Sequence, residues 1–289
     1  KKQPEVIIIP NGQRLEKEEL RYYRNSIKYR VTDKKSYNSF WAPIVQNIPD
    51  SAIIYVSAEG IYNQINPETF FDGTRYELDK HQIVYVTSTK NIGNSSNIAT
   101  NDRKALLVAN PKFYKGSGSN ISQLQGAEKE VLSIEKLLNT HKVDYNKLTG
   151  TNATEQAIKE TEEPRFVHLA THGYFIRNAS SNGQFVEIDE AKAIENPLLK
   201  SGLLLANAGD VIDNNNYYHY NNEDGILTAL ETMNMNWSNT EFVVLSACET
   251  GLGEVQNGEG VYGLQRTLQL AGVNAIIMSL FKVDDDVTN

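Results

Sequence analysis

The sequence predicts an α/β protein in which a mostly parallel central sheet carries helices on both faces. Three observations predict it: short apolar runs recur along the chain, helical patterns fall between them, and 289 residues can bury a sizeable core. The first element is Val6-Ile7-Ile8-Ile9, a β-branched run closed by Pro10-Asn11-Gly12, which reads as a short buried strand and a turn. A mostly helical stretch follows through 15–25 and again around 37–46. Strand-like runs then recur at 52–56, 82–87, 105–108, 166–170, 202–205, 242–247 and 275–280. Helix patterns occupy 126–138, 153–161, 225–233 and 259–271. In the helix over 125–138, Ala127, Val131, Leu132, Ile134 and Leu138 form an apolar stripe, while Glu128, Lys129, Glu130, Glu135 and Lys136 cover the other faces. Such a helix lies on the sheet. The Gly/Ser/Asn-rich segments 93–101 and 114–120 read as mobile loops. The first of them divides an N-terminal α/β part, 1–103, from the remainder, 104–289. Segment 213–225, rich in Asn and Tyr without periodicity, reads as an exposed loop, either a solvated insertion or a partner contact.

Composition narrows the function. With 28 basic and 36 acidic residues the net charge is −8, and no block of Lys/Arg provides a footprint for nucleic acid or anionic lipid. No direct nucleic-acid partner is expected. No apolar run approaches the ~20 residues that span a bilayer, and the first residues lack the apolar stretch of a signal peptide. The single cysteine, Cys248, excludes an internal disulfide framework and a multi-thiolate metal site, and fits a reducing compartment. No membrane association, no metal, no organic cofactor and a cytoplasmic location are therefore expected.

Two strand ends carry reactive residues. Phe166-Val167-His168-Leu169-Ala170-Thr171-His172-Gly173 delivers a histidine and a glycine just past an apolar run, and Phe242-Val243-Val244-Leu245-Ser246-Ala247-Cys248 delivers the cysteine. Open parallel sheets place sites beyond the carboxyl ends of their strands, so His172 and Cys248 belong on one edge. A free thiol, with pKa near ~8.5, needs an imidazole to accept its proton or stabilise its anion, and the same imidazole can later protonate a leaving amine. Gly173, without a Cβ, lets its N–H approach an acyl oxygen, and the Cys248 N–H can supply a second oxyanion donor. The same residues also read as a buried structural cysteine and a satisfied core histidine. His168 and His172 are too far apart on a strand, roughly 13 Å, to share a metal, so His168 reads as a core residue. The glycines at 251, 253, 258 and 260 fit a loop beside Cys248 better than a nucleotide site, since no Gly-Lys-Ser/Thr follows and Glu254 repels phosphate. After the last strand, Asp284, Asp285 and Asp286 form either a pocket for a basic side chain or a solvated cap.

Several stretches together resemble the CHAT domain, a branch of the caspase-like and separase-like cysteine peptidases. They are His168-Leu169-Ala170-Thr171-His172-Gly173; Asn196-Pro197-Leu198-Leu199 through Leu205-Ala206; Asp224-Gly225-Ile226-Leu227-Thr228-Ala229; Leu245-Ser246-Ala247-Cys248-Glu249-Thr250-Gly251-Leu252-Gly253; and Gly258-Glu259-Gly260-Val261 through Asp284-Asp285. The resemblance covers about 104–289, and 1–103 is similar to the opening of the same domain type. It implies a caspase-hemoglobinase fold and a Cys–His dyad of Cys248 and His172. In the related separases the acidic residues after the last motif strand select arginine. The similar register here points to Asp285, flanked by Asp284 and Asp286, as a primary pocket for Arg or Lys.

The resemblance further implies an endopeptidase acting on a protein partner within a regulated bacterial defence or cell-death system. It implies a helical-repeat regulatory region, such as TPR repeats, or an activator protein, and a further helix and strand after Asn289, so that 104–289 is the catalytic part truncated at its C-terminus. The alternative is a catalytically silent or latent scaffold of the same fold. Segments 93–101, 114–120 and 213–222 are candidate processing sites.

Overall fold

Alternating strand and helix patterns become a layered α/β arrangement in a computed structural model that describes residues 3–86, 89, 92, 104–118, 120–175, 197–199, 201–213, 223–247 and 259–279. The chain divides into two units, Lys1–Ser95 and Ser96–Asn289.

In the first unit, a helical run opens at Gly12, widens into a π-turn over Leu15–Glu19 and continues as helix α1, Leu20–Lys28. A second run spans Tyr37–Trp41 and Ala42–Val45. Strands β1, Ile53–Val56, and β2, Gln82–Tyr85, pair in parallel. The core is aromatic: Phe40 and Phe70 stack at 6.1 Å, and Tyr23 meets Phe70 edge-on at 5.5 Å. One expectation fails here. Val6-Ile7-Ile8-Ile9 forms no strand, and Val6 and Ile8 are 84% and 83% exposed. β-Branched residues favour extended backbone, but a strand also needs a neighbour to pair with, and no described residue provides one.

The second unit runs β3 (Lys104–Pro111), α2 (Gln125–Thr140), β4 (Asp144–Gly150), α3 (Glu155–Lys159), β5 (Phe166–Ala170), β6 (Gly173–Phe175), β7 (Ser201–Leu204), α4 (Ala208–Asp213), β8 (Ile226–Thr228), α5 (Ala229–Thr232), β9 (Phe242–Leu245), α6 (Glu259–Leu270) and β10 (Ala275–Met278). Five of its strands form one parallel sheet in the order β10-β9-β5-β3-β4. Side-chain alternation divides the core between two faces. Leu106, Val108, Val167, Leu169, Val243 and Leu245 pack with Trp237, Leu264 and Leu268, whereas Leu107, Ala109 and Ala170 meet Ala127 and Val131 of α2. Helices thus flank the sheet as expected, although Leu132 faces outward at 45% exposure.

Strands β6, β7 and β8 form a separate antiparallel sheet. The run around 202–205 therefore belongs to this smaller sheet. The helix expected over 225–233 begins late, because Ile226–Thr228 is a strand and Thr228 is the N-cap of α5. Thr228 Oγ1 accepts from the Glu231 N–H at 3.2 Å while Glu231 Oε2 accepts from the Thr228 N–H at 2.9 Å. This reciprocal cap requires non-helical backbone at Thr228 and holds the start of the helix after it.

Carboxylates gather beneath this turn. Buried Glu155 pairs with Lys159 and accepts from the Gly225 N–H at 3.1 Å, and Glu231 meets Lys159 at 3.0 Å. Burial, with Glu231 nearby, pushes the Glu155 carboxyl above the ordinary range. Asp224 is pushed up to about 6, first by desolvation, despite accepting from the Ile226 N–H at 2.8 Å. A carboxyl whose pKa is higher folded than unfolded binds more protons in the folded state between the two values, so stability falls as pH rises through that window. The thermal midpoint of the second unit is expected to decline between about pH 4 and pH 6 from Asp224. Asp224→Asn, which keeps the acceptor for Ile226, should flatten that part of a melting-versus-pH curve, and an unchanged slope would refute the assignment.

Candidate active site

Strands β5 and β9 lie side by side in parallel, with Leu169 opposite Leu245 and the Ser246 N–H donating to the Leu169 carbonyl at 2.9 Å. Beyond Leu169 and Leu245 the two chains leave the same sheet edge, and in the sequence His172 and Cys248 each follow three positions later. Cys248, together with Asp284, Asp285 and Asp286, lies outside the described residues. His172 and the residues leading up to Ala247 are described.

The chain is fixed immediately after β5. Buried Thr171 donates its hydroxyl to the Leu204 carbonyl, and the Leu204 N–H donates back to the His172 carbonyl at 2.8 Å. This places His172 at the junction of the two sheets. The bond from Leu204 also makes Gly173 and Leu203 a non-hydrogen-bonded pair of the β6-β7 ladder, so the Gly173 N–H stays outside that ladder. Gly173 lies against the end of β9: a Cβ there would sit 3.6 Å from the carbonyl oxygen of Ala247, the residue before Cys248.

The His172 ring is 1% exposed, tilts against Phe113 at 5.2 Å and donates from Nε2 to the backbone carbonyl of Ser122 at 2.8 Å. A carbonyl only accepts, so this bond places the proton on Nε2 and makes Nδ1 the basic nitrogen. Ser122 was not anticipated from the sequence, where a backbone acceptor leaves no residue-type signal.

Segment 114–120, expected to be mobile, is instead anchored at its described positions. The Tyr114 ring is buried so closely against Gly118 and Gly209 that a Cβ would lie 2.1 Å and 2.4 Å from it, and its hydroxyl accepts from the Ile121 N–H at 3.1 Å. Asp210 accepts from the Lys115 N–H at 2.7 Å, and Asn120 donates to Asp213 at 2.9 Å. Asn110, itself in the left-handed region, accepts from the Leu124 N–H at 2.8 Å at the start of α2. Together these bonds hold the Ser122 carbonyl in place.

On the α2 side of the sheet, His168 is buried as expected of a core histidine, and its Nε2 lies 3.3 Å from Glu130 Oε1. Ser246 donates its hydroxyl to Glu130 Oε2 at 3.0 Å. Among the described residues no helix is long and apolar enough to cross a membrane.

The family description matching this chain is the CHAT domain, over residues 34–289, which takes in the whole second unit and begins within the first. No curated protein matches the chain. The match covers most of the sequence and agrees with a parallel α/β core related to that of caspase-like cysteine peptidases, so the chain belongs to the CHAT domain family.

Proposed function

We propose that this protein is a cysteine endopeptidase in which Cys248 is the nucleophile and His172 the base and acid. The observation that carries the reading is the buried His172, its Nε2 bonded to Ser122, followed by a glycine at which a Cβ would meet the carbonyl of Ala247, the residue preceding Cys248. His172 Nδ1 takes the thiol proton, and Cys248 Sγ bonds to the scissile carbonyl carbon. The Gly173 and Cys248 N–H groups stabilise the resulting oxyanion. As the C–N bond breaks, His172 returns the proton to the leaving amine. Water, deprotonated by the same imidazole, then hydrolyses the thioester and regenerates the thiol.

Asp285, with Asp284 and Asp286 beside it, is assigned to the pocket that receives Arg or Lys before the cut. A protein serves as substrate, and a helical-repeat region or activator protein controls access, as in a bacterial defence or cell-death system. The test is a mixed-sequence peptide library read by mass spectrometry, with Cys248→Ala alongside. Cys248-dependent cuts after Arg or Lys are the expected result. Asp285→Ala should lower kcat/KM for such peptides by about 10²-fold, through loss of a charge-assisted contact worth ~1.5–3 kcal/mol. Cuts after other residues would retain the dyad and remove Asp285 as selector. An intact library, even with candidate activators present, would favour the silent-scaffold reading.

A further inference from the structure

Glu130, Ser246 and His168 form a cluster that the peptidase chemistry above does not use. Glu130 projects from α2 and joins two neighbouring strands: its Oε2 accepts from Ser246 just past the end of β9, and its Oε1 lies 3.3 Å from His168 Nε2 on β5. The carboxylate is the central member. A serine hydrolase needs the imidazole between serine and carboxylate, so this order does not make a second nucleophile. It does make a tether. Ser246 stands two residues before Cys248 in the sequence and is the last hydrogen-bonded side chain described ahead of it. His168 and Val244 are register partners, so the tether acts on the same side of the sheet from which His172 follows His168 and Ala170.

On the dyad reading, we propose that Glu130 is a positioning residue: by holding the Ser246 hydroxyl it fixes the segment that carries Cys248 at the distance from His172 where the thiolate is stabilised. His168 Nε2 lies 3.3 Å from the other carboxylate oxygen but makes no hydrogen bond to it, so the Ser246 bond alone carries the tether. With Oε2 bonded to Ser246 and Oε1 packed beside the buried His168, the position of the Ser246 hydroxyl follows from the packing of α2 against the sheet.

Because Cys248 is the only cysteine, its alkylation by iodoacetamide can be followed by mass spectrometry without knowledge of the substrate. Alkylation follows the thiolate, so its pH profile reports how well the imidazole stabilises the anion. The wild-type profile should have a midpoint well below that of a free cysteine, and His172→Ala should raise it. Glu130→Ala and Ser246→Ala should each raise the midpoint toward the free value, slowing alkylation about tenfold near pH 6.5 while leaving the rate near pH 9.5 within about twofold. Glu130→Gln, whose amide oxygen still accepts from Ser246, should restore the low midpoint. The double variant should be no slower than either single one, since both break the same link.

A profile lowered in the wild type and raised by His172→Ala, yet unchanged by Glu130→Ala and Ser246→Ala, overturns the tether alone. An ordinary thiol profile that His172→Ala does not move overturns the dyad and the tether with it. Should Glu130→Ala fail to fold, Ser246→Ala and Glu130→Gln decide the question, because both keep the polar packing of α2 largely intact.

Discussion

His172→Ala and Cys248→Ala are each expected to lower kcat/KM on a cleaved peptide by ~10⁴-fold or more, and the double variant by no more than the worse single one. In the proposed dyad nucleophile and base act as one unit: without the imidazole the thiol is mostly protonated at neutral pH, and without the thiol the imidazole has no proton to move. The geometry sharpens the expectation for His172. Its Nε2 is committed to the Ser122 carbonyl, so Nδ1 must do the chemistry. His172→Gln, which can still donate to Ser122 but has no titratable nitrogen, should be as inactive as alanine while keeping the wild-type melting point. Single-turnover assays beside thermal melts provide the check. Residual activity within tenfold of wild type in either single variant would overturn the dyad.

Trp237→Ala is expected to destabilise the second unit by about 3–5 kcal/mol, the usual range for deleting a large aromatic from a packed core. Trp237 is fully buried in the cluster that contains Leu169 of β5 and Val243 of β9, and its Nε1 donates to the Thr161 carbonyl at 3.2 Å. Removing the indole leaves a cavity under the two strands that carry the site and strands a carbonyl acceptor. Trp237→Phe should cost less than alanine, because it refills much of the volume but not the hydrogen bond. Urea denaturation followed by far-UV circular dichroism separates the two. A Trp237→Ala loss below about 1 kcal/mol would show that the cavity collapses without consequence.

The apolar strands were legible because burial on both faces of a parallel sheet demands continuous apolar sequence. Leu106-Leu107-Val108 and Val243-Val244-Leu245 meet that demand directly, and Val167 through Ala170 meets it except at His168, which is buried beside Glu130. Strand β4 was not legible. It lies at the sheet edge, Asp144-Tyr145-Asn146-Lys147-Leu148-Thr149-Gly150 is mostly polar, and its polar groups are satisfied laterally, with Tyr145 and Lys147 both bonded to Glu135. Composition misled in two opposite cases. Val6-Ile7-Ile8-Ile9 has strand chemistry without a described partner strand, whereas the Gly/Ser-rich stretch after Tyr114 is anchored because Gly118, like Gly209 across from it, admits the Tyr114 ring. At the candidate site, the sequence showed the position of His172 after an apolar run and before glycine, which the fold places at the junction of the two sheets. Its orienting acceptor could not be read, because a carbonyl belongs to every residue, and the Glu130 link to Ser246 joins positions 116 apart in the chain.

The adjacency of β5 and β9 also governs how the molecule acquires its site in time. Arg165 and Glu241, which pair at the start of the two strands, are 76 residues apart, and β6 to β8 lie in the interval. Pairing at that separation is of high contact order: a long loop must close before any strand contact rewards it, which slows folding relative to a local hairpin. During synthesis from the N-terminus, the histidine strand therefore emerges well before its partner and waits without it. Assembly of this edge has a built-in delay, set by loop closure, between translation of the histidine strand and its pairing with β9.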